Sequence, residues 1–411
     1  ALYGSRFAEA GCVHIKQMSS LRILSFHEHL CKISDTGLVH ISQMPALESL
    51  CVHGMKNITD KGIANLTNMV SLRKLNIASS QVTDKGLECL SQIKTLESLG
   101  LPQNQREITD KGLESLSRLP RLKSLGISRI HWSDPRMNKE YYTDKGLEFL
   151  SRRRTLESLS IGSIGITDAG MEHVAKLTNL KSLNVFGCDN ITDRGLAKLA
   201  ALKSLESLNA SGEQITISGI NRLNSLSKLK RMHFPGMRHA GATLDLSGMT
   251  SLEDVIISFY RKSNHVFTDA DLASFKNLKT LTALQIGPRK FTDSGLRYLS
   301  GLTEMKRLLV GGPQLTDAGI RHLAAMEKLE MLSVSSASED AKLTDETLRF
   351  LERFKRLNSI DITSDIPFSQ AAVRRLESEL PNLYRARIQP TSPEPDSNRA
   401  RVRRSSPSRR R

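Results

Sequence analysis

The residues of this chain that could do chemistry are first of all threonine–aspartate pairs, since a hydroxyl beside a carboxylate can act as a nucleophile beside a base. The pairs belong to a phrase, Ile-Thr-Asp-x-Gly-Leu, that recurs along the chain. Its aspartates, mostly 24 to 26 residues apart, are Asp60, Asp84, Asp110, Asp144, Asp168, Asp193, Asp269, Asp293 and Asp317. A period in this range indicates a repeat protein. Because a residue present in every repeat builds the repeat, we expect a structural role for these pairs and assign no catalytic residue.

A group of histidines and cysteines could bind zinc, for which neutral imidazole and thiolate are good ligands. The group comprises His27, His29, Cys31, Cys51 and His53. Because His27 and His53 occupy equivalent positions in two repeats, we expect them one strand apart, at about 4.8 Å. The standard zinc spacings C-x-x-C and H-x-x-x-H do not occur, so the sequence predicts no metal site. The sequence also contains no phosphate loop, dinucleotide fingerprint or nucleophile elbow, and therefore predicts no cofactor and no enzyme.

The elements that position these residues can be derived from one repeat, residues 191–210. Leu196, Leu199 and Leu202 recur at every third position, which predicts one face of a short helix. After a turn, residues 208–210 alternate between apolar and polar, which indicates a strand. Stacked copies of this unit would align their strands in one parallel sheet with the helices outside.

Each residue of the recurring phrase has a predicted structural task. Thr192 is placed to cap the helix by accepting a hydrogen bond from a backbone N–H of the first turn. Asp193 lies in that turn, where the helix dipole favours negative charge. Gly195 lacks a side chain, so the neighbouring repeat can approach closely. The apolar residue before the threonine fills the core beneath the loop.

The pattern L-x-x-L-x-L followed by I-T-D-x-G-L resembles the leucine-rich repeat family over residues 7–388. The run 184–193 is similar to the cysteine-containing repeats of F-box proteins, whereas most other repeats are closer to the bacterial form T-D-x-G-L-x-x-L. The resemblance implies an α/β fold, a right-handed horseshoe-shaped solenoid of about fifteen repeats. Its parallel sheet would form the concave face and its short helices the convex face.

The repeats also define the expected domain boundaries. Residues 1–390 are predicted to form the solenoid, and residues 391–411, rich in Pro, Ser and Arg, to be a disordered basic tail. The unit near residue 241 is degenerate, which predicts a local irregularity in curvature. Residues 370–380 are expected to form the last helix and residues 383–388 the last strand. Since no polar cap precedes the first repeat, we expect the chain to be part of a longer protein.

The formal net charge of +16 favours a solvated outer surface and attracts polyanions. Seven arginines lie in the last 21 residues, so nucleic-acid binding is predicted only through this tail. The five scattered cysteines are expected to be reduced, which favours a cytoplasmic location. No apolar stretch reaches the length of about 18 residues that a membrane span needs, and we expect a monomer.

The sheet is the binding surface that the family resemblance implies, but the residues predicted to point outward from it are mostly small and neutral. One column runs Ser49, Lys74, Ser98, Ser124, Ser158, Ser182, Ser207, and the next Cys51, Asn76, Gly100, Gly126, Ser160, Asn184, Asn209. Such a face disfavours nucleic acid, because phosphate contacts require lysine or arginine.

Departures from the period are the predicted partner-binding sites. The spacing from Asp110 to Asp144 is 34 residues, and the inserted stretch contains Trp132, Tyr141 and Tyr142. Insertions into repeats often form binding loops, and Trp, Tyr and Arg anchor protein interfaces. A loop that folds back and buries its own aromatic residues is the structural alternative. The further candidates are Phe186, Phe259, Tyr260 and Arg261.

The sequence thus predicts a protein-recognition solenoid that binds a protein partner, performs no catalysis and carries no cofactor. Two alternatives are the substrate-recognition arm of an F-box-like ubiquitin-ligase receptor and the regulatory region of a larger bacterial enzyme such as a protein kinase. The full-length reading frame distinguishes them. A further hypothesis is RNA binding through the arginine tail, which predicts a steeply salt-dependent affinity that deletion of residues 391–411 abolishes.

Overall fold

The structure, a computed structural model, describes residues 7–27, 31–53, 57–77, 81–101, 108–127, 142–163, 165–237, 242–259, 266–287, 290–312, 314–336, 343–364 and 366–390. The chain divides into two compact units, Ala1–Ile215 and Thr216–Arg411. In both units strands and short helices alternate along the chain, as the repeat pattern predicted.

The first unit contains a parallel sheet. Its strands are β1 (Phe7–Ala8), β2 (Ile23–His27), β3 (Cys31–Lys32), β4 (Ser49–His53), β5 (Lys74–Asn76), β6 (Ser98–Gly100), β7 (Ser124–Gly126), β8 (Ser158–Ser160), β9 (Ser182–Val185) and β10 (Ser207–Ala210). Its helices are α1 (Glu9–Ile15), α2 (Asp35–Ile41), α3 (Asp60–Ala64), α4 (Asp84–Leu90), α5 (Asp110–Leu116), α6 (Asp144–Leu150), α7 (Asp168–Val174) and α8 (Asp193–Lys198). β2 and β4 to β10 are neighbours in chain order, while β1 pairs with β3.

The second unit repeats this arrangement. Its strands are β11 (Arg231–Met237), β12 (Asp254–Phe259), β13 (Ala283–Gly287), β14 (Arg307–Gly311), β15 (Met331–Ser335), β16 (Ser359–Ser364) and β17 (Arg385–Pro390). Its helices are α9 (Ile217–Asn221), α10 (Asp269–Leu272), α11 (Asp293–Leu296), α12 (Asp317–Arg321), α13 (Asp345–Leu351) and α14 (Gln370–Glu379). The strands pair in parallel and in chain order.

The core of each repeat is filled by the residues that created the sequence period. In the repeat 191–210 the buried side chains, each at most 1% exposed, are Ile191, Leu196, Leu199, Leu202, Leu205 and Leu208. The helix face and the alternating strand predicted for this repeat are confirmed, and a short 3-10 helix, Leu199–Ala201, extends α8. Over the described residues no helix has the length and apolar character needed to cross a lipid bilayer.

The threonine of the recurring phrase caps the helix that follows it, as predicted. Thr192 accepts a hydrogen bond from the Arg194 backbone N–H at 3.1 Å, and the equivalent distance in α4 is 3.2 Å. Each such threonine is extended, which is the conformation of an N-cap residue. The cap satisfies one of the backbone N–H groups that a helix start leaves unpaired.

The aspartate of the phrase contacts the next repeat, a role that the sequence did not predict. One carboxylate oxygen accepts from the backbone N–H of the following threonine, and the other accepts from its hydroxyl; we call this pair of bonds the Asp–Thr bridge. In the first unit the N···O distances are 2.7–2.8 Å and the O···O distances 2.6–2.8 Å. Bridges in the second unit join Asp269 to Thr292, Asp293 to Thr316 and Asp317 to Thr344.

The glycine of the phrase makes room for that carboxylate. A Cβ atom at Gly112 would overlap Oδ1 of Asp84 and would lie 2.7 Å from Cδ1 of Leu87. Gly170 is confined in the same way, by Asp144 and Leu147 of the preceding helix. The predicted close approach of neighbouring repeats is confirmed, and its cause is the Asp–Thr bridge.

The second unit departs from this pattern between β11 and β12. Ile217 stands where other repeats have the phrase aspartate, and the described residues 242–253 contain turns but no helix. Two asparagines of α9 and its C-terminal turn hold this segment. Asn221 accepts from the Asp245 N–H at 2.9 Å, and Asn224 accepts from the Gly248 N–H at 2.7 Å. The repeat near residue 241 therefore has no helix in its described part, and the irregularity in curvature expected there stays a prediction.

Asp271, a residue of α10, supplies the carboxylate that the repeat near residue 241 lacks. It occupies the glycine position of its own phrase, Thr268-Asp269-Ala270-Asp271. Its Oδ2 accepts from the Thr268 N–H at 2.9 Å and from the Thr268 hydroxyl at 3.2 Å, and its Oδ1 accepts from the Leu244 N–H at 2.9 Å. The side chain is only 3% exposed. A carboxylate therefore caps this threonine too, but it comes from the same helix and not from the preceding repeat.

Candidate functional site

The outward side chains of the first unit's sheet form the two columns that the sequence predicted. Strand pairing aligns Ser49 with Lys74, Lys74 with Ser98, and so on to Ser207, and it aligns the second column in the same register. Most of these side chains are half-buried and carry no charge. This part of the sheet offers few groups that could anchor a ligand.

The equivalent outward columns of the second unit have a different composition. The first runs Arg231, Asp254, Ala283, Arg307, Met331, Ser359 and Arg385, and the second His233, Ile256, Gln285, Leu309, Ser333, Asp361 and Arg387. We call these fourteen positions the second-unit face. It combines arginine, carboxylate and apolar side chains, and its register places all of them on one side of the sheet.

Asp254 is the centre of the charged part of this face. Its Oδ1 lies 3.3 Å from Nε2 of His233, and its Oδ2 accepts from Nη2 of Arg307 at 3.1 Å. Arg307 reaches across the intervening strand, where the small side chain of Ala283 lies almost fully buried beneath it. The His233 side chain, together with the charge of Arg307, lowers the pKa of the Asp254 carboxyl below its usual value. Asp254 is therefore charged at neutral pH and already paired.

A second ion pair and several apolar side chains complete the face. Arg387 Nη1 lies 4.0 Å from Asp361 Oδ2, with 57% of the arginine side chain exposed. Ile256, Leu309 and Met331 are half-buried and lie between the charged residues in the two columns. Exposed arginine beside partly exposed aliphatic side chains is suited to contact with another protein, because both types anchor interfaces when water is excluded.

The described part of the chain contains no arrangement of catalytic side chains comparable to this face. In residues 7–390 outside the gaps given above, no group of three His, Cys, Asp or Glu side chains could hold a metal ion. The pairing of His27 with His53 on adjacent strands is confirmed by the backbone register, but their side chains lie outside the described set. Burial raises the pKa of the Cys188 thiol to about 12, so this cysteine is a poor nucleophile at neutral pH.

The structure corrects the prediction for Tyr142. This residue is 4% exposed, and its hydroxyl lies 2.9 Å from the Ile127 carbonyl oxygen and 2.8 Å from that of Gly162. It stands immediately before Thr143, where other repeats have a buried apolar residue such as Ile108. Tyr142 is therefore a core residue that ties two repeats together, not an exposed contact. Its position in the phrase could have indicated this from the sequence.

The other candidate residues have different outcomes. Phe186 is half-buried after β9, and its backbone N–H donates to Asn184 Oδ1 at 3.0 Å. Phe259 ends β12, but its side chain is not among those described. Trp132, Tyr141, Tyr260 and Arg261 lie outside the described residues, and their role in binding remains a prediction. The sequence analysis did not predict the second-unit face, because the two columns it derived end at Ser207 and Asn209. The same alternation of the later strands predicts that the residues of this face point outward.

Comparisons with known proteins agree with this architecture. Residues 12–286 match a family model described as a leucine-rich repeat region. An internalin from Listeria monocytogenes is similar in structure at 20% sequence identity, covering 94% of this chain and 95% of that chain with a TM-score of 0.52. A yeast structure of the Rad7 and Elc1 complex gives 19% identity, coverage of 92% and 87%, and a TM-score of 0.49. None of the curated proteins matches the chain.

Proposed function

The chain belongs to the leucine-rich repeat family, as its sequence predicted, and we propose that it is a protein-recognition module that binds its partner through the second-unit face. The observation that carries the proposal is the change in composition along one sheet position. Equivalent outward residues are Ser158, Ser182 and Ser207 in the first unit but Arg307, Met331 and Arg385 in the second. Because the repeats need no such residues to fold, their presence supports a binding role.

The proposed contact combines shape and charge. Leu309 and Met331 would supply apolar area, and Arg385 and Arg387, both exposed, would pair with carboxylates of the partner. Arg–carboxylate pairs are planar and can be bidentate, so they fix orientation as well as adding affinity. The proposal assigns recognition to this face and no catalysis.

The test compares the intact chain with variants of two faces. Leu309→Ala together with Arg387→Ala removes one apolar anchor and one cation from the second-unit face, and Ser124→Ala with Ser182→Ala is the matched change in the first unit. Proteins captured by the immobilised chain are quantified by mass spectrometry, and circular dichroism verifies that each variant is folded. We expect partner recovery to fall about tenfold or more for the second-unit variant only. Equal recovery by both variants would place binding elsewhere.

The F-box-receptor, bacterial-enzyme and RNA-binding hypotheses stay predictions. The first two assign the solenoid a role within a larger protein and are compatible with binding through the second-unit face, whereas the third concerns residues 391–411. A partner lost only on deletion of residues 391–411, with a steep dependence on salt, would favour the RNA hypothesis over the present proposal.

A further inference from the structure

Arg153 occupies a position that is apolar in the neighbouring repeats. It lies in the turn after α6, and its carbonyl accepts the Leu156 N–H at 3.1 Å, as the carbonyl of Leu177 accepts the Leu180 N–H at 2.9 Å. The equivalent residues of the first unit, each at most 4% exposed, are Met44, Met69, Ile93, Leu119, Leu177 and Leu202. A cation thus replaces a core side chain in one repeat.

The guanidinium of Arg153 is left without a counter-charge by the described residues. Its Nε atom is buried and has no hydrogen-bond partner among them, although the side chain as a whole is only half-buried. A buried N–H donor without a partner is costly, since it loses the hydrogen bond that water would give it. The unpartnered Nε therefore points to a ligand that supplies an acceptor.

Arg153 lines a cleft of about 380 Å³. The cleft is lined by Arg152, Arg153, Arg154, Thr155 and Asn179. Thr155 donates its hydroxyl to the Leu122 carbonyl at 2.7 Å, and Asn179 donates to the Arg154 carbonyl at 2.8 Å. These two polar residues hold the turns of three successive repeats together. The arginines are therefore the groups available to a ligand.

The surroundings of the cleft are strongly cationic. The three turns 117–123, 151–157 and 175–181 carry eight lysine or arginine residues and one glutamate. Arg152 is 63% exposed, lies over the Phe149 ring at 5.6 Å, and approaches Glu148 only to 3.9 Å. A field of this sign concentrates anions at the cleft.

We propose that the Arg152–Arg154 cleft binds a phosphate monoester carried by a phosphorylated side chain of a protein partner. A phosphate dianion presents three acceptor oxygens, which the planar forks of adjacent arginines match, and it supplies the counter-charge that Arg153 lacks. Among the described residues, the lining contains no aromatic side chain on which a nucleotide base could stack, which favours a phosphorylated protein over nucleic acid. This site is in the first unit and is independent of the second-unit face.

The experiment measures binding of small probes to the intact chain by isothermal titration calorimetry at constant ionic strength. The probes are a decapeptide with one phosphoserine, the same peptide without phosphate, inorganic phosphate, and a decauridylate RNA. We expect the phosphopeptide to bind, inorganic phosphate to bind more weakly and to displace it, and the unphosphorylated peptide not to bind. RNA that binds more tightly than the phosphopeptide, in an Arg153-dependent manner, would overturn the assignment to a phosphorylated protein.

Arg153→Leu separates binding from folding, because it restores the residue type of the other repeats. We expect its phosphopeptide affinity to fall about tenfold or more, while its Tm without ligand equals or exceeds that of the unaltered chain. The double variant Arg152→Gln with Arg154→Gln keeps Arg153 and should also lose affinity. Arg321→Gln, an exposed arginine of α12, removes the same charge elsewhere and should bind normally. Full affinity in Arg153→Leu, or a Tm clearly below that of Arg321→Gln, would refute the proposal.

Discussion

At the scale of single residues, the recurring phrase acts across the boundary between repeats. Asp84 binds Thr109 of the next repeat, and Gly112 leaves the space that its carboxylate fills. The threonine then caps its own helix through the Lys111 N–H at 3.3 Å. Each of these three residues has only a weak conformational preference of its own, and each depends on the other two for its geometry.

Gly112→Ala tests this dependence. The added methyl group overlaps the Asp84 carboxylate, so the bridge to Thr109 must shift, and we expect the free energy of unfolding to fall by about 1–3 kcal/mol. Gly126→Ala is the matched control, because nothing lies within 4 Å of a Cβ atom there. Urea denaturation monitored by circular dichroism should show the control at or slightly above the stability of the unaltered chain. Equal effects of the two substitutions would contradict the role assigned to Gly112.

Part of this residue-level account was predictable from sequence. The cap by Thr192 and the closeness required at Gly195 follow from residue type and period, and both were predicted correctly. The bridge was not predicted, because a period shows that an aspartate recurs but not which neighbouring residue its oxygens reach. Tyr142 was assigned wrongly because its aromatic ring in an insertion was given more weight than its place in the phrase.

At the scale of elements, the second unit contains a repeat without a helix in its described residues, and α10 has adapted to it. Asp271 accepts three hydrogen bonds, from Leu244 and twice from Thr268, in a buried setting. The degenerate sequence near residue 241 predicted an irregularity in curvature but did not predict this missing helix, because a missing helix and a distorted one have similar degenerate patterns. The bounds of the last elements were predicted closely: the helix is Gln370–Glu379 and the strand Arg385–Pro390.

Asp271→Gly is expected to destabilise the chain although it restores the usual residue of the phrase. It removes the acceptor of two backbone N–H groups, and buried donors without partners cost about 1–3 kcal/mol each, so the free energy of unfolding should fall by about 2–6 kcal/mol. The converse change, Gly295→Asp, should also destabilise, since the Asp269 carboxylate already occupies that space. Urea denaturation of both variants is the measurement. An Asp271→Gly variant with unchanged free energy of unfolding would show that these bonds contribute little to stability.

At the scale of the whole molecule, one proposed binding surface lies in each of the two units, the Arg152–Arg154 cleft in the first and the second-unit face in the second. Sequence analysis predicted the repeat architecture correctly, because the regular spacing of the leucines shows which positions are buried. It did not find the second-unit face or the Arg152–Arg154 cleft, because both consist of departures from the period at positions where single residues matter. Finding them requires aligned columns of strand and turn residues across repeats.

Coupling between repeats should also control local opening within the second unit. The amides of Met249 and Leu302 occupy equivalent turns, donate to Leu246 and Leu299 at 3.0 Å, and belong to fully buried residues. Because the repeat of Met249 lacks a helix in its described part, we expect its amide to exchange about tenfold or more faster than that of Leu302. Hydrogen–deuterium exchange resolved by mass spectrometry over residues 244–249 and 297–302 is the test. Similar protection would mean that the asparagine contacts replace the helix fully.

The Asp–Thr bridge has a consequence for how such a chain can lengthen or shorten by recombination. A repeat whose phrase carries the aspartate can be followed by one whose phrase carries the glycine, as in the passage from Asp293 to Gly319. If the same repeat were followed instead by a helix like α10, its aspartate would lie close to Asp271. Two carboxylates would then compete for one set of hydrogen-bond donors. The interchangeable part is therefore the junction between two repeats, and a crossover that places two carboxylates at one junction is expected to be destabilising.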